Sequence, residues 1–315
     1  MLFDPEARLK AWIDSLSGHP PIRCGVVHPC DESALHGALD AFRAGLIEPV
    51  IIAPKARVSA LSEKFELSLE GIELIDTPHS HAPAAQAAAM AARRELAMLM
   101  KGTLHTDELM EAVLAEAALR TGRRMSHVFR FEVPTYERPL LITDAAINIA
   151  PTLAEKADIL RNVIDLAHAL GIHRPNVALL SAVETVTPKI PSTLDAAALC
   201  KMADRGQIEG ALLDGPLAFD NAISAAAAAS CGIVLGAQVP IVLTSRADSA
   251  LSRVASAALA GVMQRAPRPG KIEHWHNPAP AASRPERLRK QSFDQSALIF
   301  ALRIISPQSR SSSAT

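Results

Sequence analysis

The stretch IRCGVVHPCDESALHGALDAFRAGLIEPVIIAP, residues 22–54, sets the fold class. Ile22 to His28 is a short apolar run, the pattern of a strand buried on both faces. Asp31 and Ser33 offer capping oxygens to a helix that runs through Ala44 and stops at Gly45. Pro49 to Ala53 is a second apolar run, closed by Pro54. Strand, helix and strand within about 30 residues form the βαβ unit of a parallel sheet.

The alternation extends in both directions. Upstream, Leu9, Trp12, Ile13 and Leu16 share one face of a helix that Pro20 and Pro21 end. Downstream, Ile72 to Asp76 reads as a strand, Ala82 to Met100 as an Ala-rich helix, and Thr106 to Thr121 as a helix capped by Thr106. Ser126 to Val133 and Pro139 to Thr143 follow as strands, then a periodic helix from Leu153 to Leu170. Val177 to Leu180 and Ala211 to Asp214 are strands around a helix from Thr193 to Asp204. Ile233 to Leu235, Val239 to Thr244 and a helix from Ser249 to Val262 complete the series. The order predicts an open, mostly parallel α/β sheet. Beyond Gln264 the prolines multiply and periodicity ends, so residues 264–315 read as a disordered, dispensable tail. The apolar stretch Ala297 to Ile305 is one candidate element there, with no partner legible in the sequence.

Composition removes several function classes. The chain has 315 residues, 49% of them hydrophobic, which allows one large or two ordinary domains. Lys and Arg number 32 and Asp and Glu 33, so bulk charge does not hold it to nucleic acid. Aromatic content of 3% leaves few rings for stacking single-stranded bases. Cys24, Cys30, Cys200 and Cys231 form no CxxC pair and read as free thiols in a reducing cytoplasm. No apolar run approaches the roughly 20 residues of a membrane span.

In open α/β sheets, ligands sit beyond the carboxyl ends of strands. Four polar segments occupy such places. Lys101, Thr103, His105 and Thr106 lead into a helix. Arg123 and Arg124 precede His127. Asp144 and Asn148 follow a strand. Ser245, Arg246 and Asp248 lie where a strand meets a helix, and there a free helix N-terminus, a hydroxyl and a forked cation suit a phosphate. The alternative for the last segment is that Ser245 or Asp248 only caps the helix while Arg246 is solvated. No GxGxxG, GxxxxGK[ST] or HExxH motif is present, which argues against nicotinamide, ATP and zinc chemistry of the usual kinds.

These segments carry a family resemblance. HPCDESALHGALDAFRAGLIEPVIIAP (28–54), HSHAPAA (79–85), LMKGTLHTDELM (99–110), RTGRRMSHVF (120–129), ITDAAINIAPTLAEKADI (142–159), the run from Leu179 to Ser224 and GIVLGAQVPIVLTSRADS (232–249) resemble the phosphate acetyl/butyryltransferases, especially the phosphotransacetylase-like half of bifunctional proteins. The resemblance implies two α/β domains of isocitrate/isopropylmalate dehydrogenase type with the active site in the cleft between them. It implies a first domain of residues 1–142 with 235–263 and a second of 143–234. The implied reaction moves a short acyl group between coenzyme A and phosphate. Coenzyme A is then a substrate, with no tightly bound cofactor and no metal, and the implied assembly is a cytoplasmic homodimer.

Carried over residue by residue, Ser245 and Arg246 match the family's Ser-Arg pair. The family's Asp falls at Ser252, leaving Asp248 as the acid on offer, and a family Arg is replaced near Met110. Asp220, in FDNAIS, joins Lys101, Thr103, His105, Thr106, Arg123, Arg124, Asp144 and Asn148 as the implied substrate contacts. After Ser224, roughly thirty to forty residues of the family pattern are missing, about a strand, a helix and a loop. A gap in the second half of the sheet is therefore expected. That gap motivates an alternative, a catalytically degenerate paralogue that binds coenzyme A or a protein partner.

Overall fold

The computed structural model describes residues 3–16, 18–78, 81–134, 136, 138–144, 146–217, 229–243, 249–266 and 298–301, the stretches 229–231 and 298–301 by their backbone alone. The strands are β1 (Ile22–Val27), β2 (Ile47–Ala53), β3 (Glu73–Asp76), β4 (Met98–Lys101), β5 (Ser126–Glu132), β6 (Leu140–Thr143), β7 (Asn176–Leu180), β8 (Leu212–Leu217), β9 (Ala229–Leu235), β10 (Ile241–Val242) and β11 (Leu298–Ala301). The helices are α1 (Pro5–Asp14), α2 (Glu32–Arg43), α3 (Lys55–Lys64), α4 (His81–Ala92), α5 (Thr106–Ala115), α6 (Leu153–Ala169), α7 (Pro191–Asp204) and α8 (Ala250–Arg265).

All eleven strands among the described residues join one sheet in the order β3-β2-β1-β4-β10-β9-β5-β6-β11-β7-β8. Pairing is parallel except where β9 meets β10 and β5, and where β5 meets β6. The reversal at β9 and β5 turns the strands of one half against those of the other. Thus β1, β4 and β10 end at one edge of the sheet, while β6, β7 and β8 end at the opposite edge.

The βαβ reading of residues 22–54 holds. β1 carries apolar side chains to both faces, since Cys24 and Val26 join one core cluster and Val27 the other. Asp31 caps α2 by accepting from the Ala34 N–H at 2.8 Å. The larger core cluster packs α1, α2, α6 and α8 on one face, through Leu9, Leu35, Val163 and Leu259. The smaller packs α4 and α5 on the other, through Ala87, Ala88, Leu109 and Val113. Helices on both faces explain the near-continuous apolar strands.

Two expectations give way. The helix read from Ala82 to Met100 ends at Ala92, and Met98–Lys101 is a central strand. Leu and Met favour helices in isolation, but the slot beside β1 claims this segment, a tertiary override of propensity. Likewise, the helix read to Thr121 stops at Ala115 and continues only as a short 3-10 turn at Ala117–Leu119.

The third difference concerns the tail. The expected gap in the sheet is filled, because β11 pairs parallel with both β6 and β7. Leu298–Ala301 is therefore part of the fold and not a detached appendage. Residues 267–297 and 302–315 lie outside the described residues, as does 218–228. Among the described residues, no helix is long and apolar enough to cross a membrane.

Candidate active site

The first strands of the sheet run β1 to β2 to β3 outward in one direction, and β4 then returns to the other side of β1. The carboxyl ends of β1 and β4 therefore flank a topological switch point, the place where open α/β sheets form a ligand-binding crevice. β10 ends next to β4, in register through Ile241 with Leu99 and Val242 with Met100.

The loops at this point touch each other closely. The Gly102 N–H donates to the Val27 carbonyl at 2.8 Å, and the Thr103 N–H donates to the His28 carbonyl at 2.9 Å. A Cβ on Gly102 would lie 2.4 Å from the His28 oxygen, so only glycine fits. His28 has a φ of 55°, a left-handed conformation that non-glycine residues rarely adopt, and its side chain is buried. The Thr103 hydroxyl donates to the His28 carbonyl at 2.8 Å, and the same Oγ1 lies 2.8 Å from His28 Nδ1. A hydroxyl has one proton. With that proton on the carbonyl, Nδ1 is the donor to Oγ1 and neutral His28 keeps its lone pair on Nε2.

Burial, and then the positive charge of Arg57, lower the His28 pKa below its ordinary value, while Glu108 opposes them. The imidazole is thereby held neutral. Burial pushes the neighbouring Cys30 thiol up, so it is no nucleophile at neutral pH.

The sequence-derived candidates divide into two groups. Lys101 and Thr103 belong to the switch-point crevice. Lys101 Nζ donates to the Gly102 and Leu104 carbonyls, both at 3.0 Å, and so pins the loop. His105 occupies the N-cap position of α5 without a side-chain capping bond, and Thr106 is the first helical residue, so Thr106 is not the cap that was expected. Both are exposed at the rim.

Arg123, Arg124, Asp144 and Asn148 gather elsewhere, where β5 begins and β6 ends, at the edge opposite the crevice. Asp144 is buried and accepts from the His127 N–H at 2.6 Å, the Asn148 N–H at 2.6 Å and Asn148 Nδ2 at 2.7 Å. Arg124 Nε donates to Asn148 Oδ1 at 2.6 Å, and its guanidinium pairs with Glu155 at 3.3 Å. Arg123 pairs with Asp165 on α6. This group ties the β5–β6 edge to α6.

Ser245, Arg246, Asp248 and Asp220 lie outside the described residues. Their flanks are informative. The N-cap of α8 is Ser249, whose hydroxyl accepts from the Ser252 N–H at 3.1 Å. The capping task proposed for Ser245 or Asp248 is already taken. Sequence reading missed His28, Arg57 and Glu108 as parts of the crevice. His28 closes the strand read from the sequence and directly follows β1 in the structure. Its importance depends on β4 lying beside β1, and β4 had been read as helix. Among the described residues, no group of three metal-binding side chains occurs.

In a mostly parallel sheet covered by helices, a switch point of this kind is where small-molecule sites are commonly built. The family model described as Phosphate acetyl/butaryl transferase matches residues 80–232. A phosphate acetyltransferase of Rhizobium meliloti is 50% identical over 275 residues, covering 75% of this chain and 87% of the relative. A phosphate butyryltransferase of Clostridium acetobutylicum is 36% identical, covering 74% and 90%. The crystal structure of a branched-chain phosphotransacylase from Enterococcus faecalis matches with a TM-score of 0.65 at 25% identity, covering 78% of this chain and 99% of that one. The chain belongs to the phosphate acetyl/butyryl transferase family.

Since 75% of 315 residues is about 236, about 39 of the 275 positions aligned with the R. meliloti protein hold no residue of this chain. That is the size expected for the segment absent after Ser224.

Proposed function

We propose that this chain catalyses reversible transfer of a short acyl group between coenzyme A and inorganic phosphate, at the crevice where β1, β4 and β10 end. The observation that carries the proposal is the 50% identity to a phosphate acetyltransferase across 87% of that protein. In the direction that consumes acyl phosphate, the coenzyme A sulfur attacks its carbonyl carbon. A C–S bond forms, the C–O bond to phosphate breaks, and the thiol proton passes to a base. Ser245 and Arg246, in the segment after β10, hold the phosphate oxygens. Two bases are within the reading: Asp248, and Nε2 of the neutral His28, which the Thr103 contacts orient.

In this reading Lys101 and Thr103 shape the phosphate end of the crevice, with His105 and Thr106 at its rim. Arg123, Arg124, Asp144 and Asn148 are positioning residues, because their polar atoms are engaged with one another and with α6. Asp220 is assigned to the coenzyme A side. The reading brings with it the two-domain division 1–142 with 235–263 and 143–234, a homodimer and a cytoplasmic setting. The thiols of Cys24 and Cys30, which form no disulfide, support the last point.

The missing segment favours one competing reading, a protein that binds coenzyme A without turning it over. An assay of thiol release with acetyl-, propionyl- and butyryl-coenzyme A plus phosphate separates them. Phosphate-dependent release with at least one substrate supports the enzyme. Coenzyme A binding with no release from any of the three supports the degenerate paralogue.

A further inference from the structure

Beside α1, a bowl of about 550 Å³ opens between that helix, β5 and the loops preceding β6 and β7. Trp12, Arg130, Arg138, Leu170, His173 and Arg174 line it, and among the described residues no acidic side chain does. Arg130 is 5% exposed. Its guanidinium meets Glu132 Oε1 at 2.5 Å and lies 4.3 Å from the centroid of the Trp12 ring. Its Nε and one terminal nitrogen have no hydrogen-bond partner. Glu132 is itself shared, for its other oxygen pairs with Arg8 at 3.0 Å.

One buried carboxylate thus serves two guanidinium groups, and the local balance is positive. A buried cation with open donors is costly without a counter-charge. Arg138 and Arg174 stand exposed at the rim, adding charge around the same opening. Trp12, Leu170 and Ile172 offer an apolar surface beside it.

We propose that this bowl is an anion site that takes a small molecule bearing a phosphate group. The phosphate meets Arg138 and Arg174 at the rim and the charge of Arg130 beneath, and any ring or aliphatic part rests on Trp12 and Leu170. In strand order, β5 is three places from β4, so the site is separate from the acyl-transfer crevice. It is a place for an effector and not for the reacting groups.

The sequence has two tryptophans, Trp12 and Trp275, so Trp275→Phe leaves Trp12 as the sole reporter. Full-length protein with that change is titrated with inorganic diphosphate, and separately with adenosine monophosphate, while Trp12 emission is followed. A saturable change is expected, at least tenfold weaker in Arg138→Ser/Arg174→Ser and unaltered in Arg246→Ala. Both arginines are exposed, so the paired change should leave the melting temperature as it was. Tighter binding of the nucleotide marks an organic phosphate as the ligand, and equal binding marks a free oxyanion; either upholds the site. No saturable change up to about 10 mM, a change that survives the paired substitution, or one abolished by Arg246→Ala overturns it.

Discussion

His28 Nδ1 and Thr103 Oγ1 stand 2.8 Å apart, and the same hydroxyl donates to the His28 carbonyl at 2.8 Å. Two loops from adjacent strands are thereby locked at one residue. Thr103→Val removes both bonds and leaves the Nδ1 proton buried without a partner, a cost of about 1–3 kcal/mol. Urea unfolding should show that loss, with recovery in Thr103→Ser. Nitrogen NMR of the imidazole at neutral pH should find the proton on Nδ1. Finding it on Nε2 would refute the tautomer assignment.

The close approach of the loops makes Gly102 irreplaceable. A Cβ there meets backbone atoms, at 2.4 Å from the His28 oxygen and 2.6 Å from the Pro29 nitrogen. These atoms cannot rotate away as a flexible side chain does. Gly102→Ala should destabilise by roughly 1–3 kcal/mol or displace the crevice loop, and thiol release should fall with it. A variant with native stability and native turnover would contradict the packing.

The lowered pKa of His28 has a definite sign in stability. In the unfolded chain the imidazole takes a proton near pH 6.5, whereas in the folded protein it resists. The unfolded state therefore binds more protons between the two values, and stability falls as the pH drops below 6.5 toward the folded pKa. The facing charges are Arg57 on α3 and Glu108 on α5. Asparagine tolerates the left-handed backbone, so His28→Asn should flatten this slope without breaking the turn. An unchanged slope would place the proton uptake elsewhere.

Asp144 holds three donors from two segments. Asp144→Ala takes that acceptor from the buried His127 N–H and the half-buried Asn148 N–H, while Asn148 Nδ2 keeps the Met125 carbonyl, with an expected loss of about 1–3 kcal/mol. Asp144→Asn should retain part of that stability, because one side-chain oxygen remains. If both variants melt with the wild type, the group does not anchor the β5–β6 edge.

β11 makes the far end of the chain structural. Removing residues 298–315 strips a strand from between β6 and β7 and exposes both their edges. The melting temperature should fall by several degrees, since 1 kcal/mol corresponds to about 2–4 °C in a domain of this size. An unchanged melting temperature would return the segment to the dispensable tail that its composition implies.

Much of the fold was legible because its strands are buried on both faces. Runs such as Val26–Val27 and Val50–Ile52 stand out as apolar islands between caps like Asp31 and stops like Gly45. β4 was not legible, because Met98–Lys101 has helix-forming residues and becomes a strand only beside β1. β11 was visible as an apolar stretch, but its place is set by β6 and β7, which lie more than a hundred residues earlier in the chain. The crevice was half legible. Lys101 and Thr103 announce themselves on either side of a glycine before a helix, whereas His28 gains its role from the strand order, which no local pattern encodes. The Arg124–Asn148–Asp144 group was found by motif, but strand direction, set by the reversal at β9 and β5, puts it at the other edge.

The central claim is acyl transfer at the crevice. Its most direct test follows coenzyme A thiol released from acetyl-coenzyme A as phosphate is added, in the wild type, in Ser245→Ala/Arg246→Ala and in Thr103→Val. The account predicts phosphate-dependent release by the wild type, none by the double variant above background, and at least a tenfold reduction in Thr103→Val. Release by the wild type no faster than by the double variant would contradict it.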